Sequence, residues 1–188
     1  MQARRTCYKE SHDLSRFFLL SSLITAPSIL IIMELNYSDE RAFRELTFKW
    51  SIAWDTKDMS TFIAIATPQF VGDYSDLPAV GKVFKTSAEG FFKTSFRNEG
   101  LGDPRLQTQH LLGLGVFTRI SETEARGDWQ VRARHVRVLD NGETYEWDSS
   151  SFVEFTYLNV EGEWKLGGIR PHTVVANTGQ PNEVIGVF

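Results

Sequence analysis

Two histidines, His110 and His135, stand in consecutive segments of strand-like alternation, and an aspartate, Asp55, ends the apolar face of a helical segment upstream. Residues two apart in a strand share a face. His110 therefore lies with Leu112, Leu114, Val116 and Ile120, and His135 with Trp129, Val131 and Ala133, while Arg126, Asp128, Gln130, Arg132 and Arg134 take the other side. If the two segments pair, both imidazoles face one apolar space. An imidazole so placed gives or takes a proton near working pH, provided that a neighbour orients it and supports its charge. Either histidine alone reads as well as a hydrogen-bonded core residue; two on neighbouring inner faces favour acid–base chemistry. An aspartate near a helix C-terminus is unfavourable unless a cation or donor compensates it, and a protonatable histidine across the cavity is such a partner.

These residues need elements to position them. From Ser38 the chain reads as a helix: Ser38 is a candidate cap, Asp39 and Glu40 suit the macrodipole, and Phe43, Leu46, Trp50 and Trp54 recur at helical spacing. Asp58 starts a second short helix ending at Pro68, Phe70 to Tyr74 reads as a short strand, Asp76 to Gly81 as a loop, and Thr86 to Arg97 as a third helix capped by Thr86 or Ser87. Four strands follow, about Arg105 to Ile120, Glu124 to Leu139, Glu143 to Asn159 and Glu163 to Arg170. Asp140-Asn141-Gly142 and Glu161-Gly162 supply tight turns between them. The pattern is α+β: N-terminal helices closing one face of a curved, mostly antiparallel sheet.

The whole chain has 188 residues, enough for one domain with an extension. With 14 Phe and 5 Trp it can line a large aromatic interior, and a net charge of −4 supplies no basic field for nucleic acid. Cys7 is the only cysteine, which excludes an internal disulfide and a cysteine metal cluster. Residues 1–32 carry Arg4, Arg5, Lys9 and Arg16 before an apolar run from Phe17, a signal-like order with a poor cleavage pattern, interrupted by Pro27 and short for a membrane span. The alternative reading starts the working protein at Met33, from which the chain moves directly into a helix start. The expected organisation is an extension (1–32), a domain (33–171) and a tail (172–188).

Four blocks carry a family resemblance: FKWSIAWDTKDM (Phe48 to Met59), ATPQFVGDY (Ala66 to Tyr74), LGDPRLQTQHLLG (Leu101 to Gly113) and VRARHVR (Val131 to Arg137), continued by YLNVEGEWKLGGIRP (Tyr157 to Pro171). They resemble scytalone dehydratase, a fungal melanin-pathway enzyme with a cone fold of the nuclear-transport-factor-2 type and an internal pocket. The resemblance implies a cofactor-free, metal-free dehydratase, often a homotrimer, that removes water from a hydroxylated tetralone-type ring. It implies His110 and His135 as acid and base, Asp55 as support for His135, Tyr74 as donor toward the substrate carbonyl, and Ser151 as a substrate contact, with Trp50 in the same aromatic wall. Loss of water beta to a carbonyl needs those types together: a base for the carbon-bound proton, an acid for the hydroxyl, a donor for the developing enolate oxygen.

Two positions depart from the family pattern. Trp54 stands where the family has a tyrosine beside the aspartate, and Val153 where it has an asparagine two residues beyond the serine. A polar contact has become apolar, which argues for a larger or less hydroxylated aromatic polyketide in place of scytalone. The tail ending EVIGVF reads as a pocket lid carrying Val184, Ile185, Val187 and Phe188, or as a frayed terminus. The expected activity is a hydro-lyase of pigment or secondary-metabolite biosynthesis, without stable membrane association of the domain, in the cytoplasm or a biosynthetic vesicle, or secreted if residues 1–32 are a true signal. The alternatives are an isomerase, cyclase or decarboxylase on a related polyketide, and a non-catalytic small-molecule-binding domain.

Overall fold

The computed structural model of the protein describes residues 34–78 and 80–186. Helix α1 runs over Tyr37–Thr56 and is capped by Asn36, whose side chain accepts the Asp39 N–H, so the cap lies two residues before the expected Ser38. Lys57 in the left-handed region (φ 58°) ends it, and Asp58 caps α2, Met59–Ile65, through the Thr61 N–H. Strand β1, Ala66–Asp73, follows with no break at Pro68. Thr86 and Ser87, read as the start of the third helix, instead end a strand, β2, Val83–Ser87; Ser87 then caps α3, Ala88–Ser95.

Four long strands complete the sheet: β3, Leu106–Arg119; β4, Glu124–Val138; β5, Thr144–Val160; and β6, Glu163–Thr178. Their order is β2-β1-β6-β5-β4-β3, antiparallel except for the parallel pair β1–β6. The β5–β6 hairpin turns on Glu161 and Gly162, both with positive φ, the geometry of the two-residue turns that match strand twist. Among the described residues no helix is long and apolar enough to cross a membrane.

Two expectations fail in the sheet. The face that carries His110 does not include Leu114, Val116 and Ile120, because an extra residue enters β3 between Leu112 and Gly115 and reverses the alternation. Those three residues are exposed, and Phe117 turns inward to meet Phe43 at 5.5 Å. The other correction concerns the tail, which does not start at His172: β6 continues to Thr178, then α4, Pro181–Val184, brings Val184 and Ile185 into the core. Val187 and Phe188 lie outside the described residues, as does everything before Glu34, including Cys7 and the signal-like run.

The core explains where a cavity can form. Along the inner face of β4 and β5 the paired residues are Ala125 with Tyr157, Gly127 with Phe155, Trp129 with Val153, Val131 with Ser151, Ala133 with Ser149, and His135 with Trp147. At the first end large rings meet α1: Phe43 stacks on Tyr157 at 4.3 Å, and the Tyr157 hydroxyl bonds Thr47 (2.6 Å) and the Trp129 indole (3.0 Å). From Val131 to Ser149 the side chains are small, so the helices stand off and a space stays open. His135 and Trp147 close it beyond.

Helix α1 is pinned at both ends by aspartates. Asp39, in its first turn, accepts from Arg119 at the end of β3 (3.1 Å) and from the Trp164 indole (2.9 Å). Asp55, in its last turn, reaches His110 in β3. The ion pairs of Arg132 with Asp148 and Arg134 with Glu146 lie on the opposite, outer face, and being exposed they contribute little to stability.

Candidate active site

The open space is a cavity of about 620 Å³, within the range of small-molecule sites. Trp50, Trp54, Tyr74, His110, His135, Ser151 and Val153 all line it. Asp55 stands behind that wall and reaches the cavity only through His110.

Its geometry corrects one expectation. Asp55 supports His110, not His135: Oδ1 lies 2.7 Å from His110 Nδ1, and both carboxylate oxygens accept the His110 backbone N–H at 3.0 Å. The cause is topological. His110 is on β3, the edge strand against which α1 lies, whereas His135 is one strand further in. An edge strand leaves alternate N–H groups unpaired, and Asp55 takes one of them with the ring. A carboxylate only accepts, so Nδ1 carries the proton, and His110 Nε2 is left as the acceptor on the other side of the ring.

The two imidazoles meet edge to face, with centroids 5.8 Å apart and planes at 88°. Trp50 packs on the other flank of His110 at 4.9 Å. His135 is 4% exposed, its Nδ1 has no hydrogen-bond partner, and Trp147 stacks on its ring at 4.8 Å and 20°. Burial pushes its pKa down to about 3; the repulsion that two charged imidazoles would feel, with His110 so near, adds to this, and the Trp147 backbone and Asp148 oppose it. His135 is therefore neutral at any ordinary pH.

Tyr74 follows β1 and packs against Phe84 (6.1 Å) and Phe91 (6.4 Å). Burial raises its pKa above the usual phenol value, so it is a donor. Trp54 is embedded among Phe62, Phe92 and Phe96. Val153 is 3% exposed, so the apolar character of this wall is real.

Several residues that shape the site escaped the sequence reading. Lys57 donates to the carbonyls of Asp103 (2.5 Å) and Leu106 (3.1 Å), tying the end of α1 to the start of β3. Asp103 is 2% exposed and bound by Arg105, which holds its carboxyl down at about 2. Ser149 and Trp147 share a face with Ser151 by the same period of two, so alternation alone identifies them. Asn177, also on the wall, lies in the stretch read as a tail.

A cone of helices and curved sheet around one apolar pocket, with two imidazoles and a carboxylate at its wall, is the architecture of the cone-fold proteins. A hexachlorocyclohexane dehydrochlorinase of type LinA-type3 from Novosphingobium barchaimii superposes with a TM-score of 0.59 at 14% identity, covering 76% of this chain and 90% of that one. The Kfla4162 protein from Kribbella flavida gives 0.61 at 18%, covering 75% and 93%. In sequence, the family model described as scytalone dehydratase matches residues 34–184. The chain belongs to the scytalone dehydratase family, a family of carbon–oxygen lyases. Its relatives include scytalone dehydratase arp1 of Aspergillus fumigatus, 31% identical over 74% of this chain and 84% of the relative. Others are dehydratase cfoI of Aspergillus candidus (31%; 78% and 88%) and scytalone dehydratase of Pyricularia oryzae (28%; 73% and 81%).

Proposed function

We propose that this protein is a cofactor-independent dehydratase that eliminates water from a hydroxylated, tetralone-type aromatic polyketide in fungal pigment or secondary-metabolite biosynthesis. The observation that carries the reading is the Asp55–His110 pair in edge-to-face contact with a neutral His135 on the wall of an apolar cavity.

In this mechanism His110 is the base. Its Nε2 takes the proton from the carbon alpha to the substrate carbonyl while Asp55 steadies the imidazolium that forms. Tyr74 donates toward the carbonyl oxygen as enolate charge develops there. His135, a poor base because it stays neutral, holds the beta hydroxyl by hydrogen bonding, as neutral imidazoles do elsewhere. The enolate collapses to the new C=C bond, the C–O bond breaks, and the proton on His110 goes to the departing hydroxyl. Water leaves, and both histidines end as they began.

The recognition shell sets the substrate class. Trp54 and Val153 give the substrate no phenol or carboxamide partner, and the cavity of about 620 Å³ has room for a ring system beyond a bicyclic one. The expected substrate is larger or less hydroxylated than scytalone. The working protein is a homotrimer in this reading, and the exposed Leu111, Leu114 and Val116 on the edge strand are its subunit contact.

The experiment is mass spectrometry of reactions with a panel of hydroxylated tetralones and anthrone-type polyketides, with His110→Ala and His135→Ala as controls. A product lighter by one water, absent in both variants, supports the reading. An unchanged mass with altered retention replaces it with an isomerase or cyclase, loss of carbon dioxide with a decarboxylase, and tight binding without turnover with a binding domain.

A further inference from the structure

Trp147 and Asn177 form a contact at the cavity wall that the dehydration itself does not use. The Trp147 indole Nε1–H donates to Asn177 Oδ1 at 2.5 Å, from β5 to β6, while the ring lies flat on His135. Ser149 pairs with Asn177 in the β5–β6 ladder, so the carboxamide stands one step along from Trp147. Gly179 fixes that position. At φ 81° it leaves the strand in a conformation other residues rarely adopt, and a Cβ there would sit 1.9 Å from the Glu146 carbonyl oxygen, so β6 is drawn tight against β5 where Asn177 must reach.

We infer that Asn177 is a positioning residue for the active site: it holds the Trp147 indole over His135, and that cover keeps the imidazole dry and fixed in orientation. The physical reason is exposure. His135 is 4% exposed although Trp147 itself is only half-buried, near the rim of the cavity. An indole stacked on the ring therefore stands between His135 and water. A tryptophan anchored by one hydrogen bond has a single pose; without the acceptor its polar edge is drawn to solvent and the ring can rotate away.

The surroundings leave this cover as the variable that matters. The titratable and charged groups around His135 are His110 from β3, with Asp55 of α1 behind it, Asp148 from β5, itself bound to Arg132, and Arg137, two residues along β4 on the same face and paired with Asp103. On β6, Val174 and Asn177 of the cavity wall carry no charge, nor do Asn182 and Ile185 of the segment that follows. Desolvation is the largest effect holding His135 neutral. Removing the anchor therefore acts on the largest of these effects, by letting water reach the ring. The inference rests on the proposed role of His135 as the neutral partner, and its test reads the ring directly, without turnover.

The experiment is an NMR titration of ring-labelled histidines in the full chain, with His135 assigned by His135→Gln. The parent, Asn177→Leu, Trp147→Phe and the double variant are compared. In the parent the His135 signals stay still from about pH 8 to about pH 5. In Asn177→Leu they titrate within that window, which takes an upward shift of at least about two pH units from the parent's value of about 3. Trp147→Phe, which keeps a ring but loses the donor, gives a similar shift, and the double variant adds nothing further. Signals that stay still in both single variants overturn the inference. So does an Asn177→Leu effect that persists in full on the Trp147→Phe background, since Asn177 then acts by some route other than the indole. A shifted titration with no dehydration of any substrate keeps the contact and discards the proposed reaction.

Discussion

The Asp55 carboxylate holds His110 at two points, the ring Nδ1 at 2.7 Å and the backbone N–H at 3.0 Å. One acid therefore fixes the tautomer of the ring and the position of the strand that carries it. Asp55→Asn tests this. The amide is nearly isosteric but carries no charge, and its NH2 can turn toward Nδ1 and force the wrong tautomer. The expected result is a fall in kcat of at least about a hundredfold with little change in KM. Steady-state kinetics on the substrate found in the mass-spectrometric panel measure it, and an equal rise in KM with kcat unchanged would mean that Asp55 serves binding alone.

His135 predicts a pH dependence of stability. Its usual pKa of 6.5 falls to about 3 in the folded protein, chiefly through burial and secondarily through His110. Unfolding frees the ring to take a proton at its usual value, so between about 6.5 and about 3 the unfolded chain binds more protons than the folded one. The stability associated with the neutral ring is complete above 6.5 and is lost as pH falls through that window. Urea denaturation at about pH 7 and about pH 5 should differ by about 2 kcal/mol more in the parent than in His135→Phe, since carboxylates scarcely titrate there. The same slope in both proteins would show that the ring takes up its proton as readily in the folded as in the unfolded chain.

Much of this was legible in the sequence, and the failures have physical causes. The four long strands, the α1 face of Phe43, Leu46, Trp50 and Trp54, and the opposition of His110 and His135 all follow from periodicity, because burial enforces it. The β3 bulge was not legible. Gly113-Leu114-Gly115 reads as continuous alternation, and only the Trp129 ring packed over Gly115, with 2.6 Å to any Cβ built there, shows why the register shifts. The partner of Asp55 was not legible either. It depends on β3 being the edge strand, a property of the strand order that no local pattern encodes. Asn177 was hidden by Pro171, which reads as a strand end yet sits opposite Val153 at an irregularity in the β5–β6 ladder.

The apolar wall predicts how specificity can be moved. Val153→Asn restores a carboxamide at a position 3% exposed and facing the cavity. A buried amide without a partner is costly, so the variant should lose stability and should bind best a substrate that brings an oxygen to it. The expected outcome is a rise of about tenfold in kcat/KM for a more hydroxylated ring relative to a less hydroxylated one, measured by direct competition between the two. An unchanged ratio would place the substrate away from Val153.

The edge strand carries the last prediction. Leu114 and Val116 are 78% and 72% exposed, and Leu111 is half exposed, on a strand whose opposite face holds His110. Exposed aliphatic side chains in a row on an edge invite association. If they are the subunit contact, Leu114→Glu introduces a charge into it and the protein sediments as a monomer, while the parent sediments as a trimer. Turnover then reports whether the contact supports the site. Leu114 lies four residues from His110 on the same strand, so loosening the assembly should let β3 move against α1 and lengthen the Asp55–His110 contact. Sedimentation velocity combined with kcat separates the two effects: a monomer with full activity confines the contact to assembly, whereas a monomer with a lowered kcat that recovers at high protein concentration shows that association braces the catalytic pair.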